Sequence, residues 1–161
     1  EYAVYIRGEK EKGWKLLKEK LTDPQVSWDS TAFPDGDYRL KVVASDAPDN
    51  APGRALTAEL VSPPFTIDNT PPEIRGLTAA RKGGKLEASW AAHDALNVIS
   101  RAEYSINGGD WTLVEPVSRL SDSRDEDYRL TVDQPGEEEL TLAVRVSDEY
   151  ENRSVAKIVV P

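Results

Sequence analysis

In the segment "DGDYRLKVVASD", Tyr38, Leu40, Val42 and Ala44 occupy every second position, and Arg39, Lys41 and Ser45 take the opposite parity. Successive side chains of an extended chain point to opposite faces, so this spacing makes a strand with one apolar face. The segment "EELTLAVRVSD" repeats the arrangement with Leu140, Leu142, Val144 and Val146. "LEASW" sets Leu86, Ala88 and Trp90 on one face, and "SVAKIVV" is a further strand, 154–160. Turn signals separate these runs: "FPDGD", "KGG", "NGGD" and "QPGE". "EKEKGWKLLKEKL" has a helix-forming composition, but Gly13 interrupts it and no capping residue opens it. It reads as a turn, a strand led by Trp14 with Leu16 on the same face, and a polar turn ending at "TDP". Short strands with this punctuation indicate an all-β sandwich.

The chain repeats itself. Residues 26–50 laid on residues 128–152 without a gap share five identities in 25 positions, Leu40/Leu142, Val42/Val144, Ser45/Ser147, Asp46/Asp148 and Asn50/Asn152. The matching apolar face carries more weight, because a slip of one residue would invert it. Upstream, Ala3, Tyr5, Trp14 and Leu16 match Ala102, Tyr104, Trp111 and Leu113 in order. Between the repeats stands "FTIDNTPPEI", the end of one repeat's last strand, a linker and the next first strand. Pro71 and Pro72 hold φ and extend Thr70, which makes a stiff joint. The expected organisation is an incomplete sandwich over 1–68 (strands C to G), a proline-rich linker over 69–72, and a seven-stranded sandwich over 73–161. Its strands are expected near 73–79, 85–91, 101–106, 111–115, 128–132, 139–147 and 154–160. The first repeat begins at the strand matching 101–106, without its two N-terminal strands. Another segment, upstream or from a second protein, is expected to complete it.

"FPDGDYRLKVVASD" resembles the strand F region of fibronectin type III and related immunoglobulin-like domains, Tyr-x-apolar-x-Val-x-Ala after a Pro/Gly turn. Tyr38, Leu40, Val42 and Ala44 fit; Leu140 stands in place of the tyrosine in the second repeat, against a tyrosine-corner hydrogen bond there. Together with "FTIDNTPP", the pattern is similar to tandem immunoglobulin-like modules of large secreted bacterial proteins, which often lie C-terminal to a β-propeller or an enzyme domain. The resemblance implies two tandem immunoglobulin/fibronectin type III-like sandwiches in a secreted, periplasmic or cell-surface protein. The implied role is a non-catalytic spacer or accessory region that positions a neighbouring domain and offers protein contacts. The alternative is a glycan- or protein-binding adhesion module.

Composition narrows the partners. A net charge of −9 repels phosphate backbones and argues against nucleic acid. No apolar run approaches the ~20 residues of a membrane helix, so no membrane insertion is expected. There is no cysteine for disulfides or thiolate metal sites, and His93 is the single histidine. There is no methionine and residue 1 is Glu, so the chain reads as a processed or excised piece of a longer protein.

Candidate site residues are few. A sandwich's last strand delivers the chain to the next domain's B–C and F–G loops. That end would gather Asp35, Asp37, Asp68, Asn69, Asp94, Asn97, Asp148 and Glu149, a donor set suited to calcium. "DNTPP" and "DNAP" are also similar to cadherin Asp-Asn-x-Pro linkers, without the rest of that pattern. The competing reading is local turn hydrogen bonding, and no cofactor is the primary expectation. The paired "SDAPDN" and "SDEYEN" loops suggest a shared turn, with Asp capping amides and Asn at positive φ. Trp14 and Trp111 suggest sandwich packing, or a sugar platform in the adhesion alternative; Trp28 and Trp90 read as core. His93-Asp94 lacks a nucleophile motif, Asp125-Glu126-Asp127 reads as a solvated loop, and no enzyme is expected. The basic "EKEKGWKLLKEK" reads as a solvated strand face.

Overall fold

The computed structural model describes residues 1–134 and 136–161; its twelve strands are joined by turns and two short 3-10 turns. The chain divides into two compact units, Glu1–Asn69 and Thr70–Pro161.

The second unit is a two-sheet sandwich. One sheet has the order β10-β7-β6, from β10 (Asp125–Asp133), β7 (Lys85–His93) and β6 (Glu73–Lys82). The other has the order β12-β11-β8-β9, from β12 (Arg153–Val160), β11 (Leu140–Asp148), β8 (Ile99–Ile106) and β9 (Thr112–Val114). This is the strand arrangement of a fibronectin type III-like sandwich. All seven expected segments are strands. Gly83 and Gly84 both have positive φ, which suits the two-residue hairpin joining Lys82 to its partner Lys85. Gly76, at φ 63°, lies where the β6–β7 register shifts between Arg75 and Thr78. Leu86, Ile99, Leu142, Val144 and Val146 lose all contact with water, and Trp90 stacks on its cross-strand partner Tyr128 with ring centroids 5.3 Å apart. Pro72 is also fully buried and accepts a hydrogen bond from Ser154 Oγ.

The first unit is one antiparallel sheet of order β2-β1-β3-β4, made by β2 (Lys15–Leu21), β1 (Tyr2–Gly8), β3 (Gly36–Ser45) and β4 (Thr57–Val61); β5 (Phe65–Ile67) also pairs with β3. The split between β4 and β5 follows from Pro63 and Pro64, which offer no amide hydrogen to the ladder. Ser62 closes the gap, its hydroxyl oxygen accepting from Leu40 N–H at 3.0 Å. Ile6, Tyr38 and Ile67 are buried, with Leu17, Trp28, Phe33, Leu40 and Phe65 packed around them. Trp28 meets Phe33 edge-on at 5.3 Å. Tyr38 Oη donates to Pro34 O at 2.6 Å, a tyrosine corner. Leu140 holds the equivalent place in the second unit as a buried core residue.

Three expectations are corrected. The repeat places a strand around Val26 and Trp28, yet residues 22–35 contain only the 3-10 turn Ser30–Ala32. A strand needs a neighbour to pair with, and none lies beside this segment among the described residues. Second, matching Ala3 and Tyr5 to Ala102 and Tyr104 is one residue out of step. Val4 pairs with Val42 as Tyr104 pairs with Val144, so Ala3 and Tyr5 lie on the outer face. Third, β2 starts at Lys15, just after Trp14.

Tyr38→Phe removes one part-buried hydrogen bond and is expected to lower the stability of the first unit by about 1 kcal/mol. Leu142→Ala opens a cavity in the second unit's core and is expected to cost it about 3 kcal/mol. Urea unfolding followed separately in each unit by NMR checks both values.

Candidate functional site

In the second unit, β7 ends at His93 and β11 ends at Asp148, and the turns that follow carry the acidic residues. Asp94 Oδ1 accepts from Leu96 N–H at 2.9 Å and Asn97 N–H at 2.7 Å. Asp148 Oδ1 accepts from Tyr150 N–H at 2.8 Å and Asn152 N–H at 2.9 Å, and its Oδ2 accepts from Asn152 Nδ2 at 2.8 Å. Both aspartates are buried, at 3% and 1% exposure, and carboxylate oxygens of the two lie within 4.8 Å of one another. Two carboxylates this close and this dry repel each other wherever both carry charge. The turn amides offset part of that repulsion, and a hard divalent cation would offset more. Asp94 Oδ2 accepts none of these bonds and is an oxygen of the right kind for such an ion. Asn97 is buried beside Asp94, while Glu149 is exposed and ties its N–H to Val98 O at 3.2 Å.

The other four residues of the expected calcium set belong to the first unit. Asp35 Oδ1 accepts from Asn69 N–H at 2.8 Å, and Asp37 Oδ1 accepts from Thr66 Oγ1 at 2.7 Å. Asn69 Nδ2 donates to Ser30 O at 3.1 Å, and Asp68 is buried immediately after β5.

The paired loops share half of what was expected. Asp46 caps an amide, accepting from Leu56 N–H at 2.6 Å, as Asp148 caps two. In each loop the Asn side chain reaches back four residues to the Asp, to Asp46 O at 2.9 Å and to Asp148 Oδ2 at 2.8 Å. The positive φ falls on Glu151, at 64°, and Asn50 is extended at −125°.

His93 has a different partner from its neighbour Asp94. Its Nδ1 lies 2.7 Å from Asp125 Oδ1, directly across the β7–β10 ladder and open to solvent. Among the described residues no hydroxyl hydrogen-bonds to it. Asp125, Glu126 and Asp127 are not a solvated loop. The alternation that places Tyr128 inward runs back through Glu126, so β10 begins at Asp125. Glu126 is buried, with Oε2 accepting from Ser118 Oγ at 2.9 Å. Burial, aided by the nearby Glu126 carboxylate, pushes the Tyr128 phenol up.

The recurring tryptophans are not sandwich packing. Arg7 lies 4.6 Å and Lys41 5.2 Å from the Trp14 ring centroid. Arg145 lies 4.2 Å from that of Trp111 and also binds Glu103 at 2.7 Å. Each indole packs on the outer face of its sheet under a cation, which takes a ring face that a sugar would need. In the basic segment Glu11 takes up Lys15 and, at 2.9 Å, the Gly8 amide; those contacts hold its carboxyl below the usual range.

The first unit's inner face, which the sequence leaves short of two strands, includes residues that sequence reasoning did not name, Leu56 and Leu60. Leu60 and Leu56 are 76% and 74% exposed, and Val42 and Tyr2 are 36% exposed. Their signal was present in the alternation, which shows an apolar face but not whether anything covers it.

No family model matches the chain, and no curated protein matches it. A solved structure of fibronectin(III)-like modules from Clostridium thermocellum CbhA is similar to it, at 17% identity and TM-score 0.47, over 98% of this chain and 76% of that one. The fold assignment rests on the strand order and registers described above.

Asp148→Ala deletes three bonds to a buried carboxylate and is expected to destabilise the second unit by about 3 kcal/mol. Asp46→Ala, at an exposed turn, is expected to cost the first unit about 1 kcal/mol. Thermal unfolding of both variants against the parent chain checks the ranking.

Proposed function

We propose that this chain is a non-catalytic accessory region of a larger exported protein, and that it positions a neighbouring domain through protein contact. The observation that carries the reading is the uncovered apolar face around Leu56 and Leu60. Contiguous exposed apolar surface is costly in water and marks protein contact sites. Several features support a non-catalytic reading. His93 is engaged in an exposed cross-strand pair, and the acidic side chains of the loop ends serve turn amides. Among the described residues no helix is long and apolar enough to cross a membrane. Adhesion to glycans is the weaker alternative, because the outer-face indoles stack under arginine and lysine.

The test is the double variant Leu56→Asp/Leu60→Asp. Both side chains are already in water, so stability is expected to stay within about 0.5 kcal/mol. Binding of a hydrophobic fluorescent dye is expected to fall by at least about half, in line with the loss of the patch. Unchanged dye binding would remove the contact face from the proposal.

Calcium is the ion we assign to the Asp94–Asp148 pair, on the strength of their burial and proximity. A chelator is then expected to lower the melting temperature of the second unit, and Asp94→Asn to abolish that response. A melting temperature indifferent to both calcium and chelator rules the ion out.

A further inference from the structure

Residues 25–29 alternate in burial as a strand does, but among the described residues they are unpaired. Val26 and Trp28 turn inward, while Gln25, Ser27 and Asp29 are exposed. No strand lies beside them among the described residues; the contact to their backbone is Lys18 Nζ donating to Ser27 O at 2.6 Å. The ungapped repeat explains what such a segment is for. It sets Val26 on Tyr128 and Trp28 on Leu130, and carried three residues further upstream it sets Asp23 on Asp125, all in β10. In the second unit these residues pair with β7: Asp125 with His93, Tyr128 with Trp90, and Leu130 with Ala88. The sheet containing β7 keeps water off Val144, Val146 and Ala102, which are at most 2% exposed. Their register equivalents in the first unit are Val42, Ala44 and Tyr2, and the first and last of these are 36% exposed.

We propose that residues 25–29 are the acceptor edge for a β-strand that precedes β1 in the same polypeptide, pairs antiparallel with them, and lays its apolar face over Tyr2, Val42, Ala44 and Leu60. The inference rests on the reading of this face as a protein contact and goes further, naming the mode of binding and the chemistry of the partner. The source follows from the second unit, where β6 and β7 both precede β8, the counterpart of β1. The chemistry follows from the same pairs. The incoming strand carries a cation opposite Asp23, as His93 stands opposite Asp125 at 2.7 Å. It carries a large apolar residue opposite the smaller Val26, and a small residue opposite Trp28, as Ala88 faces Leu130. Asp23 and Asp46 line the open ends of the trough, and no lysine or arginine lines it, so a basic strand end is complementary. An added strand would supply the ladder that residues 25–29 lack and would remove the exposed edge.

The experiment compares this chain with one extended by the ~25 residues encoded immediately before Glu1, enough for two strands and their turns. Amide hydrogen exchange reads residues 25–29, and hydroxyl-radical footprinting reads Leu56 and Leu60. The expected result is slowing of exchange at Val26 and Trp28, the two amides that face the incoming strand, by at least about tenfold, with reduced labelling of both leucines, in the extended chain alone. Val26→Pro in the extended chain removes an amide that faces the incoming strand, as Tyr128 faces β7, and is expected to abolish the slowing. Reduced leucine labelling without slowing at Val26 and Trp28, or slowing that survives Val26→Pro, overturns strand pairing and leaves the contact face standing. No change at either place overturns both. Slowing in the unextended chain that grows with concentration assigns the face to a second copy and overturns the proposed source.

Discussion

A sheet whose side chains alternate apolar and polar has one face that water must be kept from, and everything else in this protein follows from how that face is treated. In the second unit β11 supplies Leu142, Val144 and Val146 to the face, and a three-stranded sheet closes over them. In the first unit β3 supplies Leu40, Val42 and Ala44 in the same register, and a loop closes over one end only. The hydrophobic effect scales with area removed from water, at roughly 25 cal/mol per Å². The first unit therefore holds its shape with less of that term than the second.

It compensates with specific devices. Four aromatic rings, Trp28, Phe33, Tyr38 and Phe65, pack mutually at centroid separations of 5.3 to 6.4 Å. Edge-on aromatic contacts add stability beyond the area they bury. The Tyr38 hydroxyl ties the entry of β3 to Pro34, and Asp29 caps the turn that carries Trp28 and Phe33 past the sheet. The second unit dispenses with the tyrosine corner because Leu140, at the same place, has a whole sheet to pack against. One repeat pattern is thus stabilised by two different balances of burial and hydrogen bonding.

The acidic loop ends show how local chemistry and site chemistry use the same residue types. Asp46 and Asp148 both cap backbone amides, which any Asp at the end of a strand can do. Only Asp148 is withdrawn from water beside a second buried carboxylate. Spacing along the chain cannot distinguish the two cases, because Asp94 and Asp148 belong to different turns. The three acidic residues 125–127 make the converse point: composition suggested solvent, and the strand period put Glu126 inside.

By itself, the sequence determined which residues alternate, where turns interrupt them and that the pattern occurs twice. These are local properties, set by side-chain parity and by the dihedral preferences of Pro and Gly. It also determined the tyrosine corner at Tyr38 and its loss at Leu140, because a single side chain decides that bond. Tertiary structure alone decided which faces are covered, whether residues 25–29 find a ladder, and which carboxylates come close together. Those outcomes depend on backbone partners far away in the chain, and a pleated segment carries no record of what lies against its apolar side.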